Sequence, residues 1–341
     1  VSYSSNSEKA NLYGSVENTK QSGIVPYTDG YQRQNYRMNI DYKVAPWMDL
    51  SISNLYNDNQ TNFPGGGGGF FAIVLAEPDN DLNMVNPVDG QPHYLRHNHW
   101  SNEQNPFYGA SRTDALERRN NWITNFKVNV RFNDWMNFDF SHSREVNNYM
   151  YSSYTPYDTW SVGGGGNNNY GIYYNQGSLY KSTSEGRQNN TQATLNLFQQ
   201  FGDLKVRGKL SYLKEKNDYQ SFNVGSSQFA IQDLPNLDAF TEAKSFGSYH
   251  SEEIATNYFA IASLDYKDRY LLDGMFRRDG SSLFGEDARW ANYYRVSGAY
   301  RISQDIEIPG IQEFKVRAAR GTAGVRPGFN WQYETYSLSS G

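Results

Sequence analysis

The sequence predicts an all-β protein: a transmembrane, antiparallel, up-and-down β-barrel, present as an incomplete segment of about eleven strands. Three observations predict it. Apolar and polar residues alternate with period two over unusually long stretches. The connections between these stretches alternate strictly between short and long. The composition is poor in aliphatic side chains and rich in Tyr (28), Gly (30) and other loop formers, among 341 residues.

Period two places successive side chains on opposite faces of a sheet. From Tyr36 to Val44 every even position is apolar or aromatic and every odd one polar or charged. After Ala45-Pro46 the pattern resumes with Met48, Leu50 and Ile52. It returns in Phe126, Val128, Val130 and Phe132, then in Met136, Phe138 and Phe140. These two hairpins, DYKVAPWMDLSIS and NVRFNDWMNFDFS, echo each other as a weak repeat of one unit. Further apolar faces run through Leu204 to Tyr212, Tyr258 to Tyr266, Tyr270 to Phe276, Tyr294 to Ile302 and Phe314 to Ala318. All of these strands fall between residues 9 and 322.

The connections at 45–46, 133–134, 201–203 and 267–269 are two or three residues long, and 303–312 is somewhat longer. The intervening ones, 57–120, 149–189, 218–254 and 280–291, are far longer. Short turns at one end and long loops at the other are the habit of membrane barrels, whose strands show an apolar face to lipid and a polar one to the lumen. A soluble antiparallel sandwich also alternates. Long strands, one-sided long loops and successive Arg, Lys and Asp on the polar face favour the barrel. A bilayer tolerates only closed barrels, so about eleven strands imply more chain.

Several classes drop out. The longest apolar run, Phe70–Ala76, is far too short for a transmembrane helix. No signal peptide and no initiator Met are visible, so the sequence reads as a mature or truncated chain. A net charge of −5 argues against nucleic acid. Without Cys there is no disulfide framework and no thiolate metal site.

The long loops hold the functional candidates. Gly65 to Gly69 and Gly163 to Gly166 fit neither a dinucleotide fingerprint nor a phosphate loop, and read as flexible loop. Trp100, Tyr151, Tyr154, Tyr157, Trp160, Tyr170 and Tyr173 offer flat apolar area with a polar handle, suited to sugars or peptides. The competing reading is that such rings pack the loops on one another. His93, His97 and His99 lack the converging set a metal needs and read as loop histidines. No catalytic motif is found, no carboxylate pair stands out, and the expectation is no enzyme, no cofactor and no metal.

Some stretches are familiar. Phe276-Arg277-Arg278-Asp279-Gly280-Ser281-Ser282-Leu283-Phe284-Gly285, then Arg289-Trp290, resembles the signature of the SusC/RagA family of TonB-dependent outer-membrane transporters. Val296–Ser303, Lys315–Gly324, Gly23-Ile24-Val25-Pro26 with Tyr36–Tyr42, and Asp233-Leu234-Pro235 are similar to other parts of that family, in family order. Arg277, Arg278, Asp279 and Gly280 are expected to be structural: turn chemistry at Asp-Gly, and ion pairs where a strand leaves the membrane.

The resemblance implies a barrel of about 22 strands with a plugged lumen, of which this chain is the central part. It implies the outer membrane of a Bacteroidota-like cell, a SusD-like surface lipoprotein as lid, a possible dimer of transporter–lid units, and coupling to TonB-ExbB-ExbD through a plug domain absent from this sequence. It implies active import of an oligosaccharide, peptide or similar nutrient. The alternatives are an outer-membrane adhesin or binding protein, a passive porin, a soluble Tyr-rich lectin, or a glycoside hydrolase.

Overall fold

The computed structural model describes the chain apart from residues 24–25, 28, 65–72, 75–80, 86–89, 91–94, 98–101, 166–168, 233, 286, 288, 327, 329–330, 332–333 and 335–341. Its centre is one twelve-stranded antiparallel sheet. In chain order its strands are β1 (Ser2–Asn6), β2 (Ala10–Gln21), β3 (Tyr31–Ala45), β4 (Met48–Pro64), β7 (Asp114–Asn133), β8 (Met136–Thr155), β11 (Ser178–Phe201), β12 (Leu204–Phe229), β13 (Phe240–Tyr266), β14 (Tyr270–Ser281), β15 (Trp290–Arg301) and β16 (Lys315–Gly321). Each pairs with its neighbour in that list, so the meander is unbroken. Two small hairpins stand in the long connections: β5 (Leu95–His97) with β6 (Asn102–Gln104), and β9 (Thr159–Gly165) with β10 (Asn169–Asn175). A short helix, α1 (Pro106–Arg112), follows β6, capped by the Asn105 carboxamide, which accepts from the Phe107 amide at 2.9 Å.

The count exceeds the expectation by β1, too short and polar to show alternation. The larger difference lies in strand length. β12 and β13 reach 26 and 27 residues, where about ten cross a bilayer. Residues 218–229 and 240–254, expected as loop, continue the β12–β13 ladder with a register shift at Gly225/Ser227. Residues 149–155 and 178–189 likewise belong to β8 and β11. Beyond the lipid band both faces mix polar and aromatic residues, so the alternation fades while the backbone ladder goes on.

The register turns the sequence pattern into rows across the sheet. Tyr42, Leu50, Val128, Phe140, Ala193, Tyr212 and Tyr258 lie side by side on one face. So do Met48, Val130, Phe138, Leu195, Leu210, Ala260, Phe276 and Tyr294. Aromatic girdles bound this face. Tyr36, Tyr56 and Trp122 form a row toward the long loops. Tyr266, Tyr270 and Tyr300 form one at the short turns, where the Tyr270 and Tyr300 rings stack at 4.9 Å. From Tyr258 to Tyr266 is eight steps, about 27 Å along the strand and roughly 21 Å in height once tilted, close to the apolar band of membrane barrels.

The opposite face is a hydrogen-bonded polar lattice. Asn129 and Asn196 both donate to Asp139, at 2.7 and 2.6 Å. Thr194 and Ser211 bond at 2.8 Å, and Arg131 reaches Asp49 at 2.9 Å. Past β16 the chain returns across this face, where Arg326 bridges Glu215 and Glu253. Few side chains are buried, because a single-layer sheet shows one face to lipid and the other to the lumen.

The two echoing hairpins share their irregularity. Both β3–β4 and β7–β8 slip register beside the turn, at Lys43/Ala45 and Arg131/Asn133. At equivalent places the carbonyls of Trp47 and Trp135 accept from the next strand, from Arg131 and Phe198, each at 2.8 Å.

Candidate ligand-facing wall

Above the girdle of Tyr36, Tyr56 and Trp122, the polar face carries aromatic and charged side chains that face inward by register. On β7 and β8 these are Glu117, Arg119, Tyr149 and Tyr151. Across β11 to β13 they continue as Tyr180, Tyr219 and Tyr249. Tyr151 packs on Tyr180 at 6.0 Å and Tyr219 on Tyr249 at 6.1 Å. The Arg119 guanidinium sits 5.1 Å over the Tyr149 ring and bonds Glu117 at 2.5 Å. Gly186 lies across the ladder from Asn147 and Tyr219, where a Cβ would meet both in ordinary contact at 3.9 Å. Desolvation, with Glu117 adding to it, holds the Tyr149 phenol above its ordinary range, so it is a neutral donor, 3.4 Å from the Glu117 carboxylate. Rings flanked by hydrogen-bonding groups suit sugar faces or peptide side chains.

The candidates drawn from the sequence divide. Tyr151 belongs to this wall. Tyr154 and Tyr157 join a packed cluster instead: Leu179, Phe229, Ala239 and Phe240 form its centre, and Tyr154 stands edge-on to Phe229 at 5.7 Å. The Tyr157 carbonyl accepts from Arg112 at 3.1 Å. These two rings hold the loops together. Trp160, Tyr170 and Tyr173 lie on the β9–β10 hairpin, Tyr173 opposite Ser161. Trp100 lies outside the described residues, as do His93 and His99, while His97 closes β5 against Asn102. Tyr180, Tyr219 and Tyr249 escaped the sequence reading. Continuing the strand parity past the apolar band would have found them.

The Arg277–Gly280 stretch is strand, not turn. It lies in β14, paired on both sides. Arg277 bonds Asp279 at 2.5 Å on the polar face, as an ion pair of the expected kind. Arg278 points the other way, 4.9 Å over the Trp290 ring. Gly280 is there for space: a Cβ would stand 2.7 Å from a Trp290 ring carbon.

Comparison with known proteins places this arrangement. No family model matches the chain. TonB-dependent receptor P26 of Formosa agariphila is 25% identical over 95% of this chain and 32% of its own length. TonB-dependent receptor P39 of the same organism is 22% identical over 95% of this chain and 30% of its own length. The RagAB peptide transporter superposes with a TM-score of 0.73 over 94% of this chain, at 15% identity and 36% of that chain. The chain is similar in sequence to TonB-dependent receptors, and its fold is that of part of the RagAB transporter. It spans about a third of the length of the curated relatives it matches. The open twelve-stranded sheet is thus a fragment of a TonB-dependent barrel fold, its apolar face outermost and its polar face toward the lumen. The relatives are named as receptors and transporters, not as enzymes.

Proposed function

We propose that this chain supplies part of the barrel wall of a TonB-dependent importer in a bacterial outer membrane, with the long loops outside the cell. The observation that carries the reading is the unbroken meander that superposes on a peptide transporter's barrel and lines its polar face, above the lipid band, with Tyr149, Tyr151, Tyr180, Tyr219 and Tyr249. The cargo is an oligosaccharide, a peptide or a similar nutrient too large for a simple pore. Tyr151 and the hairpin residues Trp160, Tyr170 and Tyr173, with Trp100 from the preceding loop, supply the contacts. A SusD-like lipoprotein closes the mouth, transporter–lid units pair as dimers, and TonB-ExbB-ExbD acts through a plug outside this chain. The barrel carries no chemistry, cofactor or metal of its own.

The test is uptake by whole cells expressing the full-length protein, fed labelled oligosaccharide and oligopeptide pools, with and without TonB. The expected result is uptake of one pool only when TonB is present. Equal uptake in both strains would make the protein a passive porin, and binding without uptake an adhesin. Paired replacement Tyr151→Ala and Tyr219→Ala is expected to weaken binding of the transported pool by about tenfold, from two lost ring contacts, with folding unchanged.

A further inference from the structure

The outer face changes character abruptly on β8, β11 and β12. The row Phe140, Ala193, Tyr212 closes the apolar band there. Two residues further toward the long loops the same face reads His142, Thr191, Lys214. Two further still it reads Arg144, Asn189, Lys216. Arg144 and Lys214 are exposed and form no ion pair among the described residues. Lys216 is held at 2.6 Å by Glu252, which lies in the row above. The next cation, Arg187, is already paired with Glu185. Elsewhere along this border Arg118 is taken up by Asp58 at 2.6 Å and Arg278 by the Trp290 ring. In a chain of net charge −5, Arg144 and Lys214 thus stand, among the described residues, as unpaired cations beside the lipid-facing band, with Lys216 held by Glu252 and Asp218 in the row above.

We infer that Arg144, Lys214 and Lys216 form a docking site for the phosphorylated headgroup of a membrane lipid. Strands lie about 4.8 Å apart, which puts β8 and β12 roughly 10 Å apart, within reach of one phosphate for the long side chains of Arg144 and Lys214, with Lys216 joining when it exchanges Glu252 for that anion. The site is continuous with the surface that already meets acyl chains, so a lipid occupies both at once, tails on Phe140 and Tyr212, phosphate on the cations. Guanidinium and ammonium groups at the interface are the usual partners of such anions. Above the cations the same face holds a hollow of about 690 Å³, lined by Arg118, Asn148, Met150, Thr183, Glu185 and His250 among others. That space fits the sugar of a phosphorylated glycolipid. The inference rests on the barrel sitting in an outer membrane, and concerns its lipid side rather than its cargo.

The full-length protein in neutral detergent micelles is titrated with a monophosphorylated lipid A, with its phosphate-free counterpart, and with inorganic phosphate. Binding is read by native mass spectrometry. Wild type is expected to prefer the phosphorylated lipid, and the triple variant Arg144→Gln, Lys214→Gln, Lys216→Gln to lose that preference, with affinity falling on the order of tenfold or more. Charge-retaining Arg144→Lys with Lys214→Arg is expected to keep it, and heat-modifiable gel migration checks that each variant is folded. Equal binding by the triple variant would overturn the site. Displacement of lipid by equimolar inorganic phosphate would make the ligand the free anion. Either result overturns the lipid assignment. None of these readouts involves TonB or cargo, so failure of the import reading leaves them unaffected.

Discussion

Gly280 shows how a single residue can mean two things. Beside Asp279 its sequence context is that of a turn. In the sheet it sits at the loop end of β14, still laddered to Thr256 on one side and Trp290 on the other. The Trp290 indole lies across it, tilted on Tyr258 at 5.9 Å and capped by Arg278. A glycine in a strand often marks such close approach, the ring covering backbone that has no side chain to shield it. Gly280→Val is therefore expected to push the ring off and destabilise the barrel by about 1–3 kcal/mol, the usual cost of overpacking. The measurement is the urea midpoint of the full-length protein in vesicles. A midpoint unchanged from wild type would mean that the ring moves aside freely. Tyr154 and Tyr151 make the complementary point: three residues apart on one strand, one ring packs a loop core and the other faces the lumen. Composition alone does not separate them.

At the scale of elements, the hairpin between β13 and β14 turns on Lys267 and Asp268, both at positive φ (58° and 53°), with the Arg269 amide closing onto the Tyr266 carbonyl at 3.0 Å. Two left-handed residues match the twist of a tight hairpin, normally at the cost of glycine or asparagine there. Asp268 tolerates the conformation and is held in place by Lys205, whose ammonium donates at 2.6 Å across the sheet's end. That bond holds the Asp268 carboxyl below its ordinary value. A depressed folded-state pKa gives stability that is present above the unfolded carboxylate's pKa and lost as pH falls through the folded one. Asp268→Asn keeps the turn and removes the charge. It is expected to lower the urea midpoint slightly at neutral pH, with the difference closing as pH falls through and below the ordinary carboxylate range and shrinking in salt. A difference that persists at low pH would assign the effect to the turn's backbone instead. The echoed turns at Trp47 and Trp135 use another device, a register slip that presents an indole at the membrane border.

For the whole molecule, the edges decide. β1 and β16 each have a partner on one side only. In a bilayer, unpaired backbone amides and carbonyls are costly, and closure is what removes them. Among the described residues β1 and β16 do not pair with each other, so this sheet stands open. The isolated chain, refolded into vesicles, is expected to remain protease-sensitive and to migrate alike whether heated or not, while the full-length protein becomes protected and heat-modifiable. Protection of the isolated chain would show that it closes, on itself or with copies of itself.

The strands inside the lipid band were legible because lipid on one side and water on the other impose period two on every one of them. The parity of turns and loops fixed the meander, and the resemblance in Arg277–Gly280 pointed to the right relatives. None of that reached the strands beyond the band: there both faces meet water, the pattern vanishes, and only cross-strand hydrogen bonding keeps residues 218–254 largely in ladder. The inward wall of Tyr149, Tyr151, Tyr180, Tyr219 and Tyr249, the ring over Gly280 and the cations beside Tyr212 were decided by register alone. Register pairs residues as far apart as Met48 and Val130, and a linear pattern says which face a side chain takes but not who stands next to it.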